Sequence, residues 1–467
     1  MSLFAPPGAS DAATVRRLAL VLLLGYLLYL FSTAYQAIYF DSNIYWELTG
    51  RFYYETKRFN LLSFDSSIRG YLLPLLLFPL RAASYVSHIE PLTFSRVVGA
   101  GLAALLFGWI GPSLWQAVVG GQLLSWRRRL AFAGLGFLFW RDYFNFPLSD
   151  FLSLTLLLAA LLLVLRRGPR PGWLLLAGAL CMAAVNMRPV YVGSAGLLLI
   201  AGSWLARRRY SWPLIGRGVA AFLLGMALVG APQLAINVRH FGQWTPLVLA
   251  WKNPAKPQSL YLSQLAWGLA VQKYETTIDP AYPDPRVMYV DPIGQRIMDQ
   301  EHISYVYGLR DFGHYFTAVR HYPADMLALY ARHTFNGFDL KYATPYAPRV
   351  HGSTLPLSVL NYTVLFAAAL VLLHRRHRRL TPLQWLALLV VVGPCALSIP
   401  TAVECRFFIP VFLLLYAVVC FLWPRDWRTV FLRWPVAAAY VVFVLGCLVL
   451  SANTLWHMTN GPRLLWP

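Results

Sequence analysis

Along this chain the apolar residues neither alternate nor follow an amphipathic helical period. They arrive in continuous blocks, each bounded by a short turn rich in arginine. Many approach the roughly 20 residues with which an α-helix crosses about 30 Å of hydrocarbon. Lipid offers no partners to backbone polar groups, so each block must satisfy its own as a helix, and blocks this continuous exclude the alternating strands of a membrane barrel. The pattern predicts an all-α polytopic bundle of about eleven spans, near 18–38, 96–124, 130–147, 148–166, 172–186, 188–206, 215–238, 355–373, 381–400, 406–423 and 434–453. The first block is too long for a secretory leader and lacks a small-residue cleavage site, so it reads as a retained helix. A further apolar stretch, Tyr71 to about Val86, holds two prolines and Arg81 and is short for a crossing; it reads as juxtamembrane or re-entrant.

Composition strengthens this reading. Of 467 residues 58% are apolar and 13% charged, against about 25% charged in soluble proteins. The net charge of +21 would ordinarily suggest nucleic acid as a partner, but the position of the charges argues otherwise. Arg16-Arg17, Arg127-Arg128-Arg129, Arg166-Arg167, Arg207-Arg208-Arg209, the run His374 to Arg379 and Arg425 with Arg428 each abut an apolar block. That is positive-inside anchoring, with anionic membrane lipids as the partner and no nucleic acid. Placing every cluster on the cytoplasmic side of a cytoplasmic (inner) membrane leaves two regions outside, about 39–95 and 239–354. The chain then divides into an N-terminal membrane module (1–238) containing the first loop, a long extracytoplasmic loop (239–354) and C-terminal membrane helices (355–467). The long loop carries turn chemistry, as in Pro280-Ala-Tyr-Pro-Asp-Pro285, and many aromatics, the composition of an ordered unit. The five cysteines lie in or beside apolar blocks with no metal spacing and imply no disulfide framework.

Only 19 residues are Asp or Glu, so those at membrane edges are informative. Asp41, in Tyr39-Phe-Asp-Ser-Asn-Ile-Tyr45-Trp46, follows the first block at the outer lipid boundary, placed either as a general base or as a helix cap among interfacial aromatics. Asp65 precedes Arg69-Gly70 in the same loop, an acid and phosphate clamp or a surface turn. Asp150, in Pro147-Leu-Ser-Asp150, opens another block, where N-capping competes with chemistry; Asp142 is nearby. Arg188 and Arg406 sit at outer block ends against the positive-inside trend, suited to a phosphate or, for Arg406, to pairing with Glu404. There is no Walker loop, dinucleotide glycine pattern, His-Glu-x-x-His or Gly-x-Ser-x-Gly.

In layout the chain resembles the GT-C superfamily of polyprenyl-phosphate-dependent glycosyltransferases, such as the aminoarabinose-lipid A, dolichyl-phosphate-mannose and oligosaccharyl transferases. The acid after the first helix is matched by Asp41 and the acid before a later span by Pro-Leu-Ser-Asp150-Phe. A Gly-rich span running into Arg-Pro is matched by Gly178 to Pro189, an Asn-x-x-x-x-Gly turn by Asn237 to Gly242, and Glu-x-Arg-aromatic-aromatic-x-Pro by Glu404 to Pro410. The resemblance implies an inverting transferase on the extracytoplasmic, periplasmic face, moving a sugar from a polyprenyl-phosphate donor to a glycan, lipid or protein acceptor. Asp41 would be the general base, Asp65 or Asp150 would position acceptor or base, and Arg69, Arg188 and Arg406, the last beside Glu404, would hold the phosphate. Tyr45 would contact substrate, and Lys273 and Tyr274 would lie on the acceptor side. Where many members carry Asp-Glu or Asp-x-Asp, this chain has Asp41-Ser-Asn, a poor divalent site, which implies a reaction without cofactor or metal. The alternatives are an O-antigen polymerase or ligase, which would use loop arginines, and a transporter or flippase of a lipid-linked sugar, which would place ionisable groups at the membrane midplane.

Overall fold

The computed structural model describes residues 9–53, 57–120, 124–207, 209–254, 257–282, 284–304, 308–375, 379–423 and 433–462. Arg208, Pro283, Arg376 to Arg378, Arg425 and Arg428, which entered the charge and turn patterns above, lie outside them. The described chain is predominantly helical. Among the described residues, eight helices are long and apolar enough to cross a membrane, and three apolar helices are shorter, Leu72–Ser87, Pro171–Met187 and Pro382–Ser398. Two compact units divide it, one of residues 1–257 with 379–394, the other of 258–378 with 395–467.

The first unit begins with α1 (Ala9–Ser32), α2 (Phe40–Leu48) and α3 (Leu72–Ser87). A long helix follows as α4 (Pro91–Ala103), a π-helical stretch (Ala104–Ile110) and α5 (Gly111–Val119). Next come α6 (Trp126–Trp140), a 3-10 turn (Arg141–Asn145), α7 (Ser149–Arg167), α8 (Pro171–Met187), α9 (Val192–Ala206) and α10 (Trp212–Phe241). Prolines at the first or second positions of α4, α8 and α10 sit where no intrahelical N–H is needed. α10 ends on Gly242, whose φ of 65° suits a left-handed cap; this is the structural work of the Asn237 to Gly242 turn.

Small residues let backbones touch. A Cβ on Gly178 of α8 would fall 1.9 Å from the Phe222 carbonyl oxygen, and one on Gly225 of α10 1.9 Å from that of Leu175. In lipid, where apolar faces gain little by pairing, such close approach is a main source of helix association.

Two spans differ from the pattern's expectation. The one expected at 18–38 stops at Ser32, because the Thr33 hydroxyl donates to the Leu30 carbonyl (2.7 Å) and buried Arg96 donates to the carbonyls of Thr33 (3.2 Å) and Tyr35 (2.9 Å). The one expected at 130–147 gives way at Arg141 to the 3-10 turn, and Phe146 is extended, as the residue before a proline prefers. The Tyr71 to Val86 stretch, expected to be short for a crossing, is the 16-residue helix α3, with Pro79 inside it, and belongs to the shorter apolar helices.

The second unit holds α11 (Leu260–Ala270), β1 (Val271–Thr277), β2 (Arg286–Val290), α12 (Pro292–Gln300), α13 (Phe312–His321), α14 (Pro323–Phe338), β3 (Tyr346–Ala347) and α15 (Leu355–His374). α16 (Pro382–Ser398) is crossed by the unit boundary, and α17 (Ile409–Leu422) and α18 (Trp434–Asn460) complete the second unit. The strands form a sheet of order β2-β1-β3, antiparallel between β1 and β2 (Lys273 opposite Tyr289) and parallel between β1 and β3 (Thr276 opposite Tyr346). Leu262, Leu265, Trp267, Val271, Met288, Ile297, Met326 and Leu329 build a core beneath it. Asp291 and Asp311 cap α12 and α13, their carboxylates accepting from backbone N–H groups at the helix starts.

Candidate functional site

In the first unit, five of the residues singled out by sequence are brought together. Asp41 lies in the first turn of α2, directly after Phe40, whose φ of 40° is the left-handed region that side-chain-bearing residues seldom adopt. Its Oδ1 accepts from Arg69 Nη2 at 3.0 Å, and both side chains keep roughly a third of their surface exposed. The Arg69 guanidinium stands 5.1 Å from the centre of the Tyr45 ring, a cation-π distance. Tyr45 is buried, and its hydroxyl donates to Ser149 Oγ at 3.3 Å. Ser149 opens α7, and the next residue, Asp150, is 4% exposed and ion-paired through Oδ1 with Arg188 Nη1. A continuous path therefore runs Asp41, Arg69, Tyr45, Ser149, Asp150, Arg188. It draws on a loop, two helix starts and the end of α8, and its two acids and two arginines balance.

What aims Arg69 and Arg188 is a ladder of buried amides that sequence reading missed. Asn186 Oδ1 accepts from Leu72 N (3.0 Å) and its Nδ2 donates to Gln233 Oε1 (2.9 Å). Gln233 Oε1 also accepts from Tyr71 N (3.3 Å), while its Nε2 donates to Asn237 Oδ1 (2.9 Å). Asn237 ends the ladder on the carbonyls of Thr245 and Leu247. A Cβ on Gly70 would fall 2.1 Å from the Asn186 carbonyl oxygen. Only glycine lets the segment carrying Arg69 lie against the end of α8. Polar residues inside apolar blocks were the available signal, since a buried amide must find partners.

The other first-unit candidates are placed differently. Asp65 pairs with Arg51 at 3.0 Å, both well exposed, which makes it part of the loop's surface. Asp142 accepts from the Tyr29 hydroxyl at 2.7 Å, and burial pushes its carboxyl above the usual range.

A second polar cluster belongs to the second unit. Tyr274 N donates to the Val403 carbonyl at 3.3 Å, so β1 runs beside the segment leading into Glu404. The Glu404 carboxylate takes a two-pronged contact from Arg406, with Nη2 to Oε1 at 2.8 Å, and accepts a hydrogen bond from Tyr274. Burial pushes its pKa up to about 7 against the pull of Arg406. This is the structural pairing that competed with phosphate binding for Arg406. Lys273 is wholly enclosed, its Nζ 2.6 Å from the Asp339 carbonyl oxygen, 3.2 Å from Asp339 Oδ2 and 3.4 Å from Glu275 Oε1. That ammonium ties β1 to the end of α14 and does not face a surface where an acceptor would bind. Burial pulls the Lys273 pKa down, but Asp339 and Glu275 outweigh it and leave it raised; Asp339, opposed in the same way by burial, is held low by Lys273 and Lys341. Burial lowers Lys341 to about 8 and raises Glu275.

Chemically, the first-unit path offers a partly exposed carboxylate, an enclosed one and two guanidiniums shaped for oxyanions. Compared with models of known families and with curated proteins, the chain finds no match in either.

Proposed function

We propose that this protein is a membrane glycosyltransferase that takes a sugar from a polyprenyl-phosphate donor, with the first-unit path as its reaction centre. What supports this reading is the linkage of Asp41 and Asp150, 109 residues apart in the chain, through Arg69, Tyr45 and Ser149. Two acids that differ in exposure are suited to two roles. Asp41, reachable and paired with Arg69, accepts the proton of the acceptor nucleophile as that nucleophile attacks the anomeric carbon. The bond from that carbon to the phosphate oxygen breaks, and the phosphate leaves with the electron pair. Attack opposite the leaving group inverts the anomeric centre. Arg69 and Arg188 stabilise the charge growing on the leaving phosphate, the fork of each guanidinium matching two of its oxygens. Asp150 contacts neither substrate; it positions Arg188. The Tyr45 ring fixes the plane of Arg69.

Asp41→Asn keeps the shape and removes the base. With purified protein and a polyprenyl-phosphate sugar, turnover should fall at least about 100-fold, the usual contribution of a positioned base, while the melting temperature stays near that of the parent. Wild-type-like turnover would remove the mechanism. Movement of intact donor across a vesicle membrane with no bond cleaved would instead identify a flippase.

A further inference from the structure

Far from the candidate site, the first unit contains a cavity of about 390 Å³. Its wall comes from the ends of α5 and α7, the start of α8, the second half of α9, the start of α10 and the start of α16. Val164, Leu198, Leu205, Phe222 and Leu386 make it predominantly apolar, and Gly202 leaves it open where a side chain would project. Asp150 stands at the first turn of α7 and Leu165 of the cavity near its last. At 1.5 Å per residue they are about 22 Å apart.

Protein interiors close-pack and leave few voids larger than a water. A space this large, with few polar groups to hold water, suits an apolar chain. The charge around it specifies the other end of that chain. Arg209, exposed, and Tyr210 form part of the wall. Arg166 lies in the last turn of α7 and donates to the Ser113 carbonyl, while Arg167 and Arg207 lie over the rings of Trp173 and Trp204, the basic and aromatic pairing that membrane interfaces favour. No Asp or Glu occurs anywhere between Asp150 and Glu275. A basic pocket between helices at an arginine-rich membrane edge is what recognises an anionic lipid headgroup.

We infer that this cavity is a binding site for an anionic phospholipid, with one acyl chain seated among α7, α9, α10 and α16 and the headgroup phosphate at Arg209. It is separate from the proposed reaction centre, and its occupant is a lipid of the leaflet at the arginine end. A bound acyl chain fills the gap between α9 and the start of α16, which gives this lipid a structural part in the unit.

Native mass spectrometry of the purified protein with phosphatidylglycerol and phosphatidylethanolamine of the same chain length tests this. The parent should retain one phosphatidylglycerol with an affinity about fivefold above that for phosphatidylethanolamine, the effect of one arginine near an anionic headgroup. Arg209→Gln should bring the two lipids to equal affinity. Gly202→Leu, whose Cβ would lie an unstrained 3.7 Å from Val164, should cost both lipids at least tenfold. Unchanged preference in Arg209→Gln overturns the inference, as does unchanged binding in Gly202→Leu or retention of a polyprenyl phosphate in preference to phospholipid. Should Gly202→Leu fail to fold, the exposed Arg209 variant decides alone.

Discussion

Two carboxyl groups, Asp150 and Glu404, show how burial and pairing set the behaviour of single residues. Asp150 has almost no contact with solvent and depends on Arg188, which retains about a fifth of its side-chain surface. Removing one partner of a buried pair strands the other charge. Arg188→Met should therefore cost about 3 kcal/mol in chemical denaturation, the low end for such pairs because Arg188 is partly solvated. Adding Asp150→Asn should recover most of it. If the double variant is no more stable than the single, the pair is not the source of the loss. In Glu404 burial acts on the proton. Its folded pKa of about 7 lies above the ordinary 4.5, so between those values the folded protein holds the proton that the unfolded chain releases. Its contribution to stability is complete below pH 4.5 and is lost as pH rises through about 7. The melting temperature of the parent should fall from pH 5 to pH 8 by more than that of Glu404→Gln; parallel profiles would rule this out.

At the scale of elements, contact between α8 and α10 rests on Gly178 and Gly225, where any Cβ meets a backbone carbonyl that cannot move aside. Gly178→Leu should overpack the crossing, lowering stability by about 3 kcal/mol, the upper end of such effects. Turnover should fall too, because α8 carries Asn186 and Arg188 at its end. Gly193→Ala, whose Cβ would have nothing within 4 Å, is the control. It should leave the melting temperature unchanged or slightly higher, and equal losses in both variants would contradict the packing argument. Helix existence was largely legible from the apolar blocks, as for α7, α9, α10, α15 and α17. Helix ends were less so. α1 stops where Arg96 captures carbonyls 63 and 61 residues away, a contact no local pattern contains. The sheet went unforeseen because β1, Val-Gln-Lys-Tyr-Glu-Thr-Thr, is polar in composition yet almost wholly buried. Its polar side chains find partners elsewhere in the unit, Gln272 on Asp291, Lys273 on Asp339 and Thr277 on the Ala347 carbonyl.

At the scale of the whole molecule, the positions of the arginine clusters carry an expectation of orientation. With the positive ends in the cytoplasm, a cysteine replacing Arg128 in a background with the native cysteines replaced should react with a membrane-impermeant maleimide only after permeabilisation. One replacing Ser66, in the loop that carries Asp65 and Arg69, should react in intact cells. The opposite pattern would invert the orientation and with it the side on which the reaction is proposed.

The chain alone determined that it is a helical protein built for lipid, because length, apolarity and charge placement are local properties that any window of sequence displays. It also marked Asp41, Asp150, Arg69, Arg188 and the Glu404 to Arg406 pair as unusual, because an ionisable group beside an apolar block carries a cost that must be offset. Which of them meet was decided only by tertiary structure. Asp41 reaches Asp150 through Tyr45 and Ser149, Asp65 turns to Arg51, and Lys273 is locked onto Asp339. The physical reason is that a charge in a low-dielectric interior must find an opposite charge or a polar partner. Its partner is chosen by which helices approach closely enough, and that was settled by glycines and amides such as Gly70, Asn186 and Gln233 rather than by the charged residues themselves.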